Sequence, residues 1–119
     1  MRARVLLVDD EERILASLVR SLRREGYELV TAQTPLEALR LLEEQHFDAV
    51  LTDHKMPGMT GVELLAKVAR LQPSAGKLLI TGWAQAVSDD EVEALEIDAV
   101  IPKPWENAEL KDGLRKAIR

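Results

Sequence analysis

Four short apolar runs, at residues 5–8, 49–52, 78–80 and 99–101, and one polar–apolar alternating segment at 27–31 punctuate this chain, and a stretch with helical spacing follows each of them. After the first come Ile14, Leu15, Leu18, Val19 and Leu22, with Gly26 as the expected stop. Thr34, Pro35 and Glu37 supply the N-cap, N1 proline and N3 carboxylate of a second helix reaching about Gln45. Thr60 with Glu63 opens a third helix carrying Val62, Leu65, Ala66, Val68 and Ala69, and Ser88 with Glu91 opens a short fourth. Leu110, Leu114, Ala117 and Ile118 form the apolar stripe of a fifth. Unbroken apolar runs read as strands buried on both faces, whereas the alternating segment suits an edge strand with one wet face. Strand–helix alternation with no linker, repeat or low-complexity tract calls for a parallel sheet covered by helices on both sides. Right-handed crossovers that switch direction once then give a doubly wound α/β fold, a (βα)5 three-layer sandwich with a parallel five-stranded sheet in the order 2-1-3-4-5.

That order makes the strands at 5–8 and 49–52 neighbours, with the switch point between them. Asp9 and Asp10 follow the first and Asp53 the second, so three carboxylates converge at the sheet edge where such folds bind ligands. Each close like-charge pair there costs on the order of 4 kcal/mol at an effective dielectric near 20. Protonation or a cation must compensate, and an all-oxygen cluster suits a hard divalent ion such as Mg²⁺. Thr81 ends the fourth strand and Lys103 follows the fifth, so both reach the same rim. A carboxylate nucleophile, a divalent ion, an ammonium and a hydroxyl suffice for phosphoryl transfer to an aspartate. Singly, the acids at 9–12 would serve as favourable charges at a helix N-terminus, Asp53 as a loop carboxylate, Thr81 as a strand-end hydroxyl and Lys103 as a solvated lysine. Their fall at the ends of different strands argues for a shared site.

Composition narrows the class. The 119 residues fit one domain, 1–119, and 46% apolar with 31% charged residues describes a globular chain. A net charge of −5 argues against direct nucleic-acid binding. The absence of Cys excludes disulfides, thiol catalysis and Cys-type zinc sites. No apolar run approaches the roughly 20 residues that span a bilayer, and no signal-peptide h-region is present, so the expectation is a cytoplasmic protein without a membrane partner.

The pieces Val-Leu-Leu-Val-Asp-Asp-Glu at 5–11, Asp-Ala-Val-Leu-Thr-Asp at 48–53, Met-Pro-Gly-Met-Thr-Gly at 56–61, Leu-Ile-Thr-Gly at 79–82 and Lys103-Pro104 together resemble the receiver domain of two-component response regulators, the CheY-like, flavodoxin-like superfamily, across the whole chain. The resemblance implies that Asp53 accepts a phosphoryl group from the phosphohistidine of a sensor histidine kinase or phosphotransfer protein. It implies Mg²⁺ (or Mn²⁺) held by Asp10 directly, by Asp9 largely through water, by Asp53 and by the backbone carbonyl of Lys55. Lys103 would pair with the phosphoryl group, the Thr81 hydroxyl would move to bond it, and the Lys103–Pro104 peptide would be cis. Such a domain is a signalling switch that catalyses its own phosphorylation and dephosphorylation, not a turnover enzyme. A second copy or a tethered output domain would be its further partners.

The chain departs from the family pattern at Val100, where receivers usually carry Tyr or Phe as a rotameric switch coupled to the threonine. Pro102 removes a backbone donor directly before Lys103. Trp83, two after the threonine, reads first as ordinary packing, with shielding of an acyl phosphate or docking of a partner as alternatives. His54 and Lys55 flank the acceptor and would influence hydrolysis; His46 has no evident chemistry. Asp89, Asp90, Glu91, Glu93, Glu96 and Asp98 read as a solvated face, or as a docking surface for a basic partner or a second copy. An Asp-nucleophile phosphatase is disfavoured because Lys55 stands where its second carboxylate belongs. A receiver that keeps the fold without the chemistry would have lost an acid, the acceptor or the lysine, and none is lost.

Overall fold

The computed structural model describes residues 2–83 and 87–118, so the ends of the expected domain, Met1 and Arg119, lie outside the described residues. Strands and helices alternate: β1 (Arg4–Val8), α1 (Glu12–Leu22), β2 (Glu28–Ala32), α2 (Pro35–Glu44), β3 (Ala49–Asp53), α3 (Gly61–Leu71), β4 (Gly76–Thr81), α4 (Asp89–Ala94), β5 (Ala99–Pro102) and α5 (Asn107–Ala117). All strand pairs are parallel and the sheet order is β2-β1-β3-β4-β5, the order that the single reversal of crossover direction requires.

Alternate residues of each central strand feed opposite faces. Leu6 and Val8 of β1 join Phe47, Val50, Leu64, Leu65, Val68 and Leu79 in one half of the core, under α2 and α3. Val5 and Leu7 join Leu15, Leu18, Leu22, Leu51, Ile80, Leu110 and Leu114 in the other, under α1 and α5. Full burial of such a side chain contributes about 1.5–3 kcal/mol, which is why these faces decide the register.

The helix starts follow the local chemistry. Thr60 accepts the Glu63 N–H while the Glu63 carboxylate accepts the Thr60 N–H, and Ser88 and Glu91 make the same reciprocal pair. Thr34 accepts the Glu37 N–H, but the Glu37 carboxylate reaches one residue further back, to the N–H of Gln33. Several boundaries differ from the expectation; β4, expected at 78–80, already starts at Gly76. α1 stops at Leu22, its last core contact, since Arg23 and Arg24 are exposed and gain nothing by continuing it. Gly26 closes the following turn instead, at φ +85°. β2 sits one residue later than 27–31 and does not alternate cleanly, because Glu28 to Val30 are all half-buried on the sheet edge.

At the end of the sheet where the strands begin, Asp48 and Asp98 have matching roles. Asp48 accepts the Arg4 N–H at 2.8 Å with its carboxylate while its own N–H donates to the Arg4 carbonyl. Asp98 treats Lys77 the same way, at 2.8 and 2.7 Å. Each precedes an Ala-Val pair that starts a strand. Gln72, at the end of α3, donates to the carbonyls of Leu42 and Gln45 and accepts the Phe47 N–H at 2.7 Å, tying α2, α3 and the entry to β3 together.

Candidate functional site

β1 and β3 lie side by side, Val8 opposite Thr52, so the residues just beyond them emerge together. Asp9 and Asp53 are buried, 0% and 5% exposed, and Asp10 is exposed. One carboxylate oxygen from each lies within 4.8 Å of those of the other two. The convergence expected from strand order is thus present in the geometry.

Several local contacts fix these acids. The Asp9 N–H extends the sheet by donating to the Ala32 carbonyl at 3.2 Å, and Asp9 Oδ1 accepts the Glu11 N–H at 2.8 Å. At the end of β3 the Thr52 hydroxyl donates to the Asp53 carbonyl at 2.9 Å. The loop that follows folds back on itself: the His54 N–H donates to the Ile80 carbonyl, and the Gly61 N–H to the His54 carbonyl at 2.8 Å. Gly61 sits so close that a Cβ there would collide with the Asp53 carbonyl and lie 2.6 Å from Leu79 Cδ1.

Lys103 reaches in from the end of β5. Its Nζ stands 2.9 Å from Asp53 Oδ1 and 3.2 Å from Asp9 Oδ2, with a fifth of its side chain exposed. The Lys103 N–H donates to the Thr81 carbonyl, continuing the β4–β5 ladder beyond Pro102, and the Lys103–Pro104 peptide is cis. Burial by itself would lower the lysine's pKa. The hydrogen bond and charge of Asp53, followed by those of Asp9, outweigh it and hold the ammonium above its ordinary 10.5. Asp9 is pushed up from 3.8, first by burial and then by the Asp53 charge, against the pull of the Glu11 N–H and of Lys103.

The three carboxylates, less one ammonium, leave an excess of two negative charges. An all-oxygen donor set with that excess fits a hard dication, and transition metals that favour nitrogen or sulfur find no such ligand in it. Over the acids opens a cleft of about 540 Å³ lined by Asp53, His54, Lys55, Thr81, Trp83 and Lys103, with Glu11 at its rim. The Thr81 hydroxyl does not bond the acids here; it pairs with the Trp83 backbone. Trp83 is 67% exposed, so the reading of its ring as ordinary core packing is not what the structure shows. Val100 is half-buried, opposite Leu79 in the sheet, and packs against the core cluster that includes Leu79 and Ile97. His54 Nδ1 is buried without a hydrogen-bond partner among the described residues. Of the six acids at 89–98, Glu91 is committed to its cap and Asp98 to the start of β4.

Two contributors escape sequence reading. Thr52 and Gly61 stand within the motifs at 48–53 and 56–61, but nothing in the sequence marks the contacts that either makes with Asp53.

Comparison with known proteins agrees with this geometry. The family model of the response regulator receiver domain matches residues 5–115. A response regulator receiver protein of Anaeromyxobacter is 40% identical over 104 residues, covering 85% of this chain and 42% of that protein. The chain likewise spans only 24% to 50% of the length of the related transcriptional regulatory proteins. The crystal structure of a signal receiver domain of an HD domain-containing protein from Pseudomonas fluorescens superposes with a TM-score of 0.89 at 33% identity, over 98% of this chain and 94% of that one. A response regulator of Thermotoga maritima, crystallised in complex with Mg²⁺-BeF, superposes with a TM-score of 0.88 at 33% identity, over 98% and 99%.

Proposed function

The chain belongs to the response regulator receiver domain family, and we propose that residues 1–119 form one receiver domain whose Asp53 takes a phosphoryl group from the phosphohistidine of a sensor histidine kinase or phosphotransfer protein. The observation that carries this reading is the ammonium of Lys103 set between Asp53 and Asp9, 2.9 and 3.2 Å away, at the edge of the cleft.

In the reaction, an Asp53 carboxylate oxygen attacks phosphorus in line with the phosphorus–nitrogen bond of the donor. The oxygen–phosphorus bond forms as the nitrogen–phosphorus bond breaks, and the bonding pair returns to the imidazole. Such transfers depend mostly on positioning and on offsetting charge at the phosphoryl oxygens. Thr52 and the loop closed by Gly61 position Asp53. Lys103, held protonated by its acidic neighbours, is placed to follow the charge from carboxylate to phosphoryl oxygen. Asp9, Asp10, Asp53 and the backbone carbonyl of Lys55 would hold Mg²⁺ or Mn²⁺, which supplies further neutralisation of the phosphoryl oxygens. The Thr81 hydroxyl lines the same cleft and would bond the transferred group.

The product switches protein contacts and is not turned over on external esters. Among the described residues no helix is long and apolar enough to cross a membrane, which supports a cytoplasmic setting. Transcriptional regulatory proteins among the relatives, of which this chain spans 24% and 50%, support a tethered effector as partner, and self-association through this domain is the other route. Intact mass after incubation with acetyl phosphate and Mg²⁺ tests the reading. The expected result is a gain of one phosphoryl group that needs the metal and is lost in Asp53→Ala. Steady release of phosphate from added esters would replace it with a phosphatase.

A further inference from the structure

α2 and α3 pack side by side over the same half of the core. Between them, on the outside, runs a groove of about 260 Å³ lined by Leu39 and Glu43 of α2 and by Lys67, Arg70 and Leu71 of α3. Three large apolar side chains are exposed among the described residues. One is Trp83 in the cleft; the other two, Leu36 at 78% and Leu71 at 43%, are on this pair of helices. Leu36 shares a helix face with Leu39 and Glu43, three and seven residues further on. Charge is divided across the groove. The acid Glu43 stands on the α2 wall and the bases Lys67 and Arg70 on the α3 wall, all three exposed. None of them forms an ion pair among the described residues, and Glu43 leaves even Arg40, three residues earlier on its own helix, unpaired.

We propose that this groove is the contact face of a homodimer, in which a second copy of the chain docks with its α2 and α3 parallel to the first pair. Opposite charges on the two walls of one groove, which do not meet within the chain, are complementary under a two-fold axis running along that groove. Such an axis lays α2 of one copy over α3 of the other. Each Glu43 then faces the bases of the opposite wall, the apolar side chains of the two grooves meet between them, and every contact is made twice. The acidic run at 89–98 cannot match itself in this way, since Asp89, Asp90, Glu93 and Glu96 carry one sign. Self-association thereby gains a face, and that face does not depend on the phosphoacceptor reading. Helices of 10 and 11 residues, about 15 Å long, cover less than a standard interface, so the dimer is weak and reversible. The groove occupies the C-terminal halves of both helices, away from the end of β3 that carries Asp53, so the cleft stays open in the dimer.

The test is sedimentation velocity of the 119-residue chain across a concentration series reaching millimolar protein, with two charge-reversed variants alongside. Glu43→Lys makes both walls basic, and the double variant Lys67→Glu, Arg70→Glu makes both acidic. The unsubstituted chain is expected to pass from monomer to dimer, less readily as salt rises. Each variant alone is expected to associate about tenfold more weakly, through attraction lost and repulsion added at both symmetric sites. An equimolar mixture of the two variants is expected to recover the dimer, because each wall again faces its opposite sign. An unsubstituted chain that stays monomeric throughout overturns the proposal and leaves the groove to a different partner. A dimer that both variants keep, or a mixture that fails to recover what each has lost, overturns it as well. Should a variant fail to fold by circular dichroism, concentration-dependent amide shifts in the ¹⁵N-labelled unsubstituted chain decide. Shifts gathered on α2 and α3 support the face, and shifts gathered elsewhere overturn it.

Discussion

The Lys103 ammonium sits 2.9 Å from Asp53 Oδ1, so the proposed acceptor is paired in advance with the cation that would neutralise its phosphoryl group. Removing that cation leaves the buried Asp9 and Asp53 facing each other uncompensated. Lys103→Ala is expected to lose about 2 kcal/mol of stability in the absence of divalent metal, the low end for truncating one partner of a hydrogen-bonded charge pair, because the lysine is partly open to water. Urea unfolding in EDTA measures this, and added Mg²⁺ is expected to restore part of the loss.

Asp9→Asn should act in the opposite sense. The folded chain holds the Asp9 proton more tightly than the unfolded chain, where the carboxyl titrates near 3.8. As pH rises from 3.8 through the raised folded value, the parent therefore loses stability relative to the variant; below 3.8 both states keep the proton and the difference is flat. Melting temperatures in EDTA across this range are expected to show the variant gaining on the parent and then levelling off. The variant's Mg²⁺ affinity is expected to fall at neutral pH.

Gly61→Ala tests how closely the loop after β3 is drawn in. The new methyl would meet the Asp53 carbonyl and lie 2.9 Å from His54 Cα, atoms that move only with the strand itself. A loss of about 1–3 kcal/mol, the usual range for overpacking, is expected, together with slower acetyl-phosphate labelling. Chemical denaturation and timed intact-mass measurements give the two readouts separately.

Gln72→Leu should destabilise without touching the chemistry. It would strand the Leu42 and Gln45 carbonyls and the Phe47 N–H, at the opposite end of the sheet from Asp53. About 2 kcal/mol is expected for partly buried groups left unpaired, with the labelling rate of the folded protein unchanged.

The order of elements is legible because four of the five strands are short apolar runs, β2 alternates in sequence, and most helices carry a cap residue in place. The meeting of Asp9, Asp10 and Asp53 followed from topology, with no knowledge of side-chain packing. What escaped depends on contacts between distant segments. Gln72 looks like any surface glutamine until α2 lies beside it. Gly61 is constrained by a carbonyl that only the folded loop brings near. The end of α1 at Leu22 is set by where the core stops, which local glycine placement does not report. A large aromatic ring is usually buried, which makes packing the first expectation for Trp83, and its exposure is visible only in three dimensions.

Asp48 and Asp98 give one residue type a second occupation. At the entrances of β3 and β5 a carboxylate is consumed by the backbone of the neighbouring strand, whereas at the exits of β1 and β3 it is left available to ligands. A parallel sheet makes that division by its own polarity, since every strand enters at one end and leaves at the other. Among the aspartates at strand ends, Asn substitution at the entrances, Asp48 and Asp98, is therefore expected to register in a calorimeter alone, and at the exits, Asp9, Asp10 and Asp53, in a mass spectrometer as well.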